Sequence, residues 1–199
     1  MSDLFDRLSR LYEDGHSREL SGLLTDANLA DGRATPAAVL IAVTDREEPT
    51  VILTQRPRAM RDHPGQVAFP GGKLDPGETE VEAALREANE ELALPPDAVR
   101  VIGTSDLYHT GTGFLVTPVL AVVPPDLPLT PSPAEVEAWF EAPLDLLLTR
   151  SNWDEQEVHW KGKWRRYYEM EYEGFRIWGV TAAIILNLAR RIDVSALRD

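Results

Sequence analysis

Apolar residues recur along this chain with changing periods, and the changes mark out its elements. Near the start, Leu4, Phe5, Leu8, Leu11 and Tyr12 keep helical spacing, one apolar face per turn. Gly15 interrupts the pattern, and Leu20, Leu23 and Leu24 resume it. Residues 1–35 are therefore expected to form an N-terminal helical arm, with a second short helix after the glycine. Pro36 opens a continuous apolar run over 37–43, read as a buried strand; 45–50 is a polar turn, and 51–55 returns as the partner strand.

Helical spacing returns at Val81, Ala84, Leu85, Ala88 and Leu92, a stripe that faces a core. Thr79 and Glu82 form a T-x-x-E capping box, which makes Thr79 the N-cap. Pro95 and Pro96 end this helix at or before Leu94. Two more apolar runs, 99–108 and 114–123, read as strands joined across Thr110-Gly111-Thr112-Gly113. That G-x-G is read as a hairpin connection, because no strand-to-helix context follows it. Five prolines between 124 and 133 mark an extended loop. After it, 135–140 alternates as a strand, 143–148 reads as a short helix and the aromatic, charged stretch 153–178 as a hairpin. An amphipathic helix over 178–192 closes the chain. The expected class is α/β, a mixed, curved sheet with helices on both sides.

With 199 residues, 43% of them hydrophobic, the chain can bury one sizeable core. The absence of cysteine removes disulfides, thiolate metal sites and cysteine nucleophiles, and fits a reducing cytosol. A formal net charge of −13 argues against nucleic acid as a partner. No basic leader follows Met1, and the runs 114–123 and 178–189 are too short for a membrane span. The expectation is a soluble, cytoplasmic protein with no nucleic-acid or membrane partner; no oligomeric state follows from the pattern.

Chemistry concentrates between residues 72 and 94, which read G-K-L-D-P-G-E-T-E-V-E-A-A-L-R-E-A-N-E-E-L-A-L. Glu87 and Glu91 lie one helical turn apart on the flank of the apolar stripe, with Glu90 turned further toward water. Like charges at that spacing cost a few tenths of a kcal/mol, and a divalent cation, which takes hard oxygen ligands, reverses the sign. A solvated acidic face is the commoner use of such glutamates taken alone.

The complete spacing resembles the box of the Nudix hydrolase family, G-x5-E-x7-R-E-U-x-E-E-x-G-U, where U is aliphatic. Gly72, Glu78, Arg86, Glu87, Glu90, Glu91 and Leu94 fall on their slots. Ala88 is a small stand-in for the aliphatic residue, and Ala93 replaces the last glycine, where a left-handed exit costs alanine about 1 kcal/mol. The resemblance implies the Nudix α/β/α sandwich over residues 36–192. It also implies metal ligation by Glu87 and Glu91, with Glu90 assisting and the Gly72 carbonyl a further candidate, and Mg²⁺ as the cation, with Mn²⁺ an alternative. Arg86 and Glu78 look like the pair that braces the loop against the helix, beside Gly71. A late loop often adds a ligand or base in this family, so Glu135 and Glu137 are candidates; they read equally well as the polar face of a strand.

Upstream, 52–72 reads I-L-T-Q-R-P-R-A-M-R-D-H-P-G-Q-V-A-F-P-G-G and gathers Arg56, Arg58, Arg61 and His63 in an acidic chain. An anionic substrate needs such a local basic patch together with a metal. The run is similar to the signature of the coenzyme A pyrophosphatase subfamily, matched at Leu53, Thr54, Arg56, Arg61, Gly65, Phe69, Pro70, Gly71 and Gly72; Ile52, Pro57 and Arg58 depart from it. This implies hydrolysis of a nucleotide of the coenzyme A class to 3′,5′-ADP and 4′-phosphopantetheine. Arg56, Arg61, Gly65 and Phe69 would then serve substrate binding, the arginines on the diphosphate or the 3′-phosphate, and Glu90, Glu87, Arg86 and Glu135 the chemistry. ADP-ribose, NADH or a nucleoside triphosphate are the alternative substrates, and a silent nucleotide-binding module is the alternative of another class.

Overall fold

The computed structural model describes residues 3–29, 32, 34–60, 63–160 and 162–197. Its main sheet comprises β1 (Thr35–Thr44), β2 (Thr50–Gln55), β3 (Val67–Ala68), β4 (Gly71–Lys73), β5 (Arg100–Thr104), β6 (Tyr108–His109), β7 (Phe114–Val123) and β8 (Ala138–Pro143). A smaller sheet holds β9 (Asp154–Trp160), β10 (Lys163–Tyr172) and β11 (Phe175–Trp178). The helices are α1 (Leu4–His16), α2 (Glu80–Leu92), α3 (Leu144–Leu148) and α4 (Val180–Arg191).

β1 is the strand on which the site depends. It runs parallel to β7 over its whole length. On its other edge it pairs antiparallel with β4 at Ala37–Val39 and with β2 only at Val43 and Thr44. The edge partner therefore changes halfway along, and β4 is held where the glycine loop enters the helix. β2 carries β3 and β8 outward, and β5 and β6 pair with the far edge of β7.

Alternation along β1 feeds two cores, as a two-residue period requires. Ala38, Leu40 and Ala42 pack with Ile52, Val119 and Ala121 beneath Ala83, Ala84, Ala88 and Leu92 of α2. Alanine on both sides lets the helix lie close to the sheet, which brings its carboxylate flank up to β4. Ala37, Ile41 and Val43 face the other way, into the core built with α1, α3 and α4. Helices on both faces of a mixed sheet make the α/β/α sandwich.

Five features differ from the sequence reading. Gly15 does not end α1; it lies inside it, buried against Arg191, where any side chain would overlap the Arg191 carbonyl. No second helix forms at Leu20–Leu24, because α4 takes its backbone groups. Asn187 bonds both the N–H and the carbonyl of Leu24, at 2.8 and 3.0 Å, and Arg190 donates to the carbonyls of Ser21 and Gly22. The strand expected over 99–108 is broken at 105–107, where Asp106 turns away to a bidentate pair with Arg191. The strand expected from Glu135 starts only at Ala138, since 133–135 is a turn closed by Glu135 N–H on the Ser132 carbonyl. The 153–178 hairpin gains a third strand, β11. Among the described residues no helix is long and apolar enough to cross a membrane.

The joint between α1, the 105–107 break and α4 carries a pH-dependent contribution. His16 stacks on Tyr12, contacts Ser105 Oγ at 2.9 Å, and faces Asp106 and Arg191. Burial, the largest cause, holds the imidazole below its ordinary value. A depressed folded-state pKa means that the unfolded chain binds the proton more readily as pH falls through the ordinary histidine value. The contribution is therefore complete above the ordinary histidine value and lost as pH falls. The melting temperature of the wild type is expected to drop more between pH 7 and pH 5 than that of His16→Asn; parallel melting curves would remove His16 as a cause.

Candidate active site

α2 begins and ends on specific locks. Thr79 Oγ1 accepts the Glu82 N–H at 3.3 Å and Glu82 Oε2 accepts the Thr79 N–H at 2.8 Å, so the capping box closes reciprocally. At the other end Ala93 takes the left-handed conformation, φ 54° and ψ 30°, and the Asn89 side chain holds the exit by donating to the Leu94 carbonyl at 3.1 Å. The last carbonyls of a helix have no internal partner. Here the proline-rich loop supplies them: Ser132 N–H bonds the Glu91 carbonyl and Thr130 N–H the Leu92 carbonyl, both at 2.8 Å. That docking carries Glu135 to the acidic flank of α2.

Glu87, Glu91 and Glu135 each offer a carboxylate oxygen within 4.8 Å of the others. Glu91 is only 6% exposed, and its Oε2 is buried with no hydrogen-bond partner. Burial first, then the charges of Glu87 and Glu135, push the Glu91 carboxyl up to about 8. Burial also raises Glu87, against the pull of Arg86. A buried, unpartnered carboxylate oxygen facing two more carboxylates costs free energy as it stands. A hard divalent cation relieves that cost, so the donor set fits Mg²⁺ or Mn²⁺. Gly72 fits the same arrangement, since a Cβ there would overlap the Glu87 carboxylate.

Glu90 lies outside the trio. It is 52% exposed and reaches Arg86 at 3.2 Å. Arg86 makes a two-point pair with Glu78 at 2.9 and 3.0 Å, and donates to the Lys73 carbonyl at 3.1 Å and to Glu87 at 3.0 Å. The guanidinium thus ties the loop at Lys73 to the helix at Glu87, and its donors are spent on protein groups. Glu137 lies elsewhere again: it accepts the Arg58 N–H at 2.8 Å and pairs with the Arg58 guanidinium at 3.7 Å.

On the other side of Gly71 and Gly72 opens a cavity of about 610 Å³. Its polar lining includes Arg56, His63, Gln66, Lys73, Thr110 and Thr112, and its apolar walls come from Phe69, Phe114, Val116, Val180 and Ile184. Among the described residues Arg56 Nε is buried without a partner, and the guanidinium is close enough to Glu91 to lower its pKa. Phe69 is at once cavity wall and core, 3% exposed. Gly65, at φ +68°, lies off the wall and shapes the loop, its carbonyl accepting from Gln55 at 3.3 Å. Arg61 lies outside the described residues. Lys73, Phe114 and the two threonines were not singled out from the sequence as site residues. The T-G-T-G turn does form a hairpin connection, with Thr110 N–H on the Phe114 carbonyl, and its place beside the glycines is set only by the register of β7 on β1.

The NUDIX domain family matches residues 34–163, and the chain belongs to it. The uncharacterized Nudix hydrolase NudL of Escherichia coli O7:K1 is 46% identical over 159 residues, 79% of this chain and 83% of that protein. The protein of the same name in Cronobacter sakazakii is 46% identical over 157 residues, 78% and 82% of the two chains. Among solved structures, the Nudix hydrolase RenU from M. smegmatis shares the fold with a TM-score of 0.51 at 25% identity, covering 64% of this chain and 82% of that one. The chain is thus a Nudix hydrolase of the pyrophosphatase kind, in a family that acts on small nucleotide-derived substrates with divalent metal ions.

A buried carboxylate that faces two others should weaken the metal-free fold. Glu91→Gln is expected to raise the melting temperature of EDTA-treated protein, since the amide can donate to Glu87 and Glu135. Each kcal/mol relieved corresponds to roughly 2–4 °C in a chain of this size. An unchanged or lower midpoint in metal-free Glu91→Gln would show that the carboxylate is not under strain.

Proposed function

We propose that this enzyme hydrolyses the diphosphate bond of coenzyme A or its derivatives in the cytoplasm, releasing 3′,5′-ADP and 4′-phosphopantetheine or its acyl form. The observation that carries the reading is the pair of compartments meeting at Gly71 and Gly72, a carboxylate trio on one side and a cavity with basic groups on the other. The resemblance of residues 52–72 to the coenzyme A subfamily supports the substrate class.

Glu87 and Glu91 would hold the divalent cation, with the Gly72 carbonyl a further candidate and the Glu135 carboxylate facing them. When bound, that ion supplies neutralisation of the diphosphate and a lower pKa for water. The protein supplies the rest. Arg86 and Glu78 fix the glycine loop relative to α2, so that the ligands need not reorganise. Arg56, with a buried donor and no carboxylate partner, binds the diphosphate oxygens next to Glu91. Glu135 takes the proton of the attacking water, because Glu90 is paired with Arg86 and Glu137 with Arg58, whereas Glu135 stands on the exposed side of the trio.

Product analysis after incubation with coenzyme A, ADP-ribose and NADH, each with Mg²⁺, Mn²⁺ or EDTA, tests the reading. Expected is metal-dependent release of 3′,5′-ADP from coenzyme A at a higher kcat/KM than any product from the other two. Preference for ADP-ribose or NADH would replace the substrate class, and no turnover of any of them would sink it.

A further inference from the structure

With 33 acidic residues against 20 lysines and arginines, cations in this protein readily find carboxylates. Arg46, Arg86, Arg100, Arg176 and Arg191 each form an ion pair. Arg56 and Lys73 form none among the described residues, and both line the cavity beside Gly71 and Gly72. Among the described residues no carboxylate lines that cavity. Cations left unpaired in one concave, partly apolar space mark a site for anions.

The two cations are not equivalent. Arg56 acts on the Glu91 carboxyl, whereas Gly72 turns its Cβ direction to the Glu87 carboxylate, so that Lys73, the next residue of β4, projects to the opposite face of the strand. The Lys73 ammonium lies 5.7 Å from the ring centroid of Phe114, close enough for the ring face to hold it at the cavity rather than leave it free in water. The phosphates being cleaved must lie by the carboxylates, so a cation held apart from them has another anion to meet. We propose that Lys73, steadied by Phe114, binds a phosphate monoester on the substrate's ribose, the 3′-phosphate, and so selects nucleotides that carry a phosphate beyond the diphosphate. This rests on the coenzyme A reading of the same site. Val116, Val180 and Ile184 form the apolar wall for the nucleoside, and Arg56 is left to the diphosphate.

Calorimetric titration of the full chain with adenosine 3′,5′-bisphosphate, adenosine 2′,5′-bisphosphate and AMP tests this without turnover. In the wild type the 3′,5′-bisphosphate is expected to bind at least ~10-fold more tightly than AMP, the range of a charge-assisted hydrogen bond. Lys73→Met should erase most of that gap while leaving AMP affinity nearly unchanged, and Lys73→Arg should restore part of it. Phe114→Leu should narrow the gap without removing a charge. Equal affinity for the 3′,5′-bisphosphate and AMP in the wild type, a gap that survives Lys73→Met, or preference for the 2′,5′-isomer would each overturn the assignment. Those failures leave coenzyme A turnover intact. Conversely, an intact Lys73-dependent gap in a protein that does not cleave coenzyme A would sink the substrate reading and not the subsite.

Discussion

Glu87→Gln is expected to fold normally and to lower kcat by ~10²-fold or more, the scale on which loss of a charge-stabilising group acts. The amide has the shape of the carboxylate and can still meet Arg86 through its oxygen, so the brace at Glu78 and Lys73 survives. The charge facing Glu91 and Glu135 does not. Glu91→Gln should lose activity on the same scale while its metal-free form melts higher, a pairing of opposite signs that a general folding defect cannot produce. Two controls bracket the result. Glu82→Gln should be nearly silent, because glutamine also closes a capping box. Glu90→Gln should fall between, since Glu90 is half-exposed, paired with Arg86 and outside the trio. Steady-state kinetics at saturating metal decide it: near-normal kcat in Glu87→Gln, or a Glu90→Gln loss as deep as that of Glu87→Gln, would dismantle the proposed ligand set.

What could be read in advance followed from local physics. The capping box at Thr79, the stripe through Ala84, Ala88 and Leu92, and the shelter of Glu87 and Glu91 relative to Glu90 all come from one helical period and one face. Those signals all lie within one helix and its N-cap, Thr79 to Leu92. Even the left-handed Ala93 was foreseeable as a cost, although its support by Asn89 was not, because a side chain reaching five residues forward has no periodic signature.

Long-range partners were the part that stayed hidden. The arm after His16 has helical spacing, yet Asn187 and Arg190, more than 160 positions away in sequence, capture its backbone and keep it extended. Tertiary hydrogen bonds outweighed a weak local propensity there. Glu135 and Glu137 looked alike as alternating polar residues, and only the docking of residues 130–132 onto the carbonyls of Glu91 and Leu92 separates them. The cavity wall is hidden for the same reason. Lys73 and Phe114 meet because they sit two register positions apart across β1, opposite Ala37 and Thr35, and register between strands distant in sequence is not written in either strand.

The two glycines between the compartments should respond differently to a single added methyl group, and the difference separates folding from chemistry. At Gly71, with φ +156°, a Cβ would overlap the Ala38 carbonyl of β1. Backbone in a central strand cannot give way cheaply, so Gly71→Ala is expected to cost stability, with a lower melting temperature and a poor yield of folded protein. Gly72 has no positive φ, so alanine is admissible there for the backbone; the atoms nearest its Cβ are those of the Glu87 carboxylate. A side-chain end can rotate aside, which preserves the fold and displaces the proposed metal ligand. Gly72→Ala is therefore expected to melt within a few degrees of the wild type but to lose ~10²-fold in kcat, about as much as Glu87→Gln. Combining the two should cost little more than either alone, because both remove one interaction. The decisive comparison is Gly72→Ala with Glu87→Asp: a carboxylate shorter by one methylene leaves room for the methyl group, and the double variant should outperform Gly72→Ala. Wild-type kcat in Gly72→Ala would mean that Glu87 does not need its place beside this glycine, and the ligand geometry at the loop would have to be redrawn.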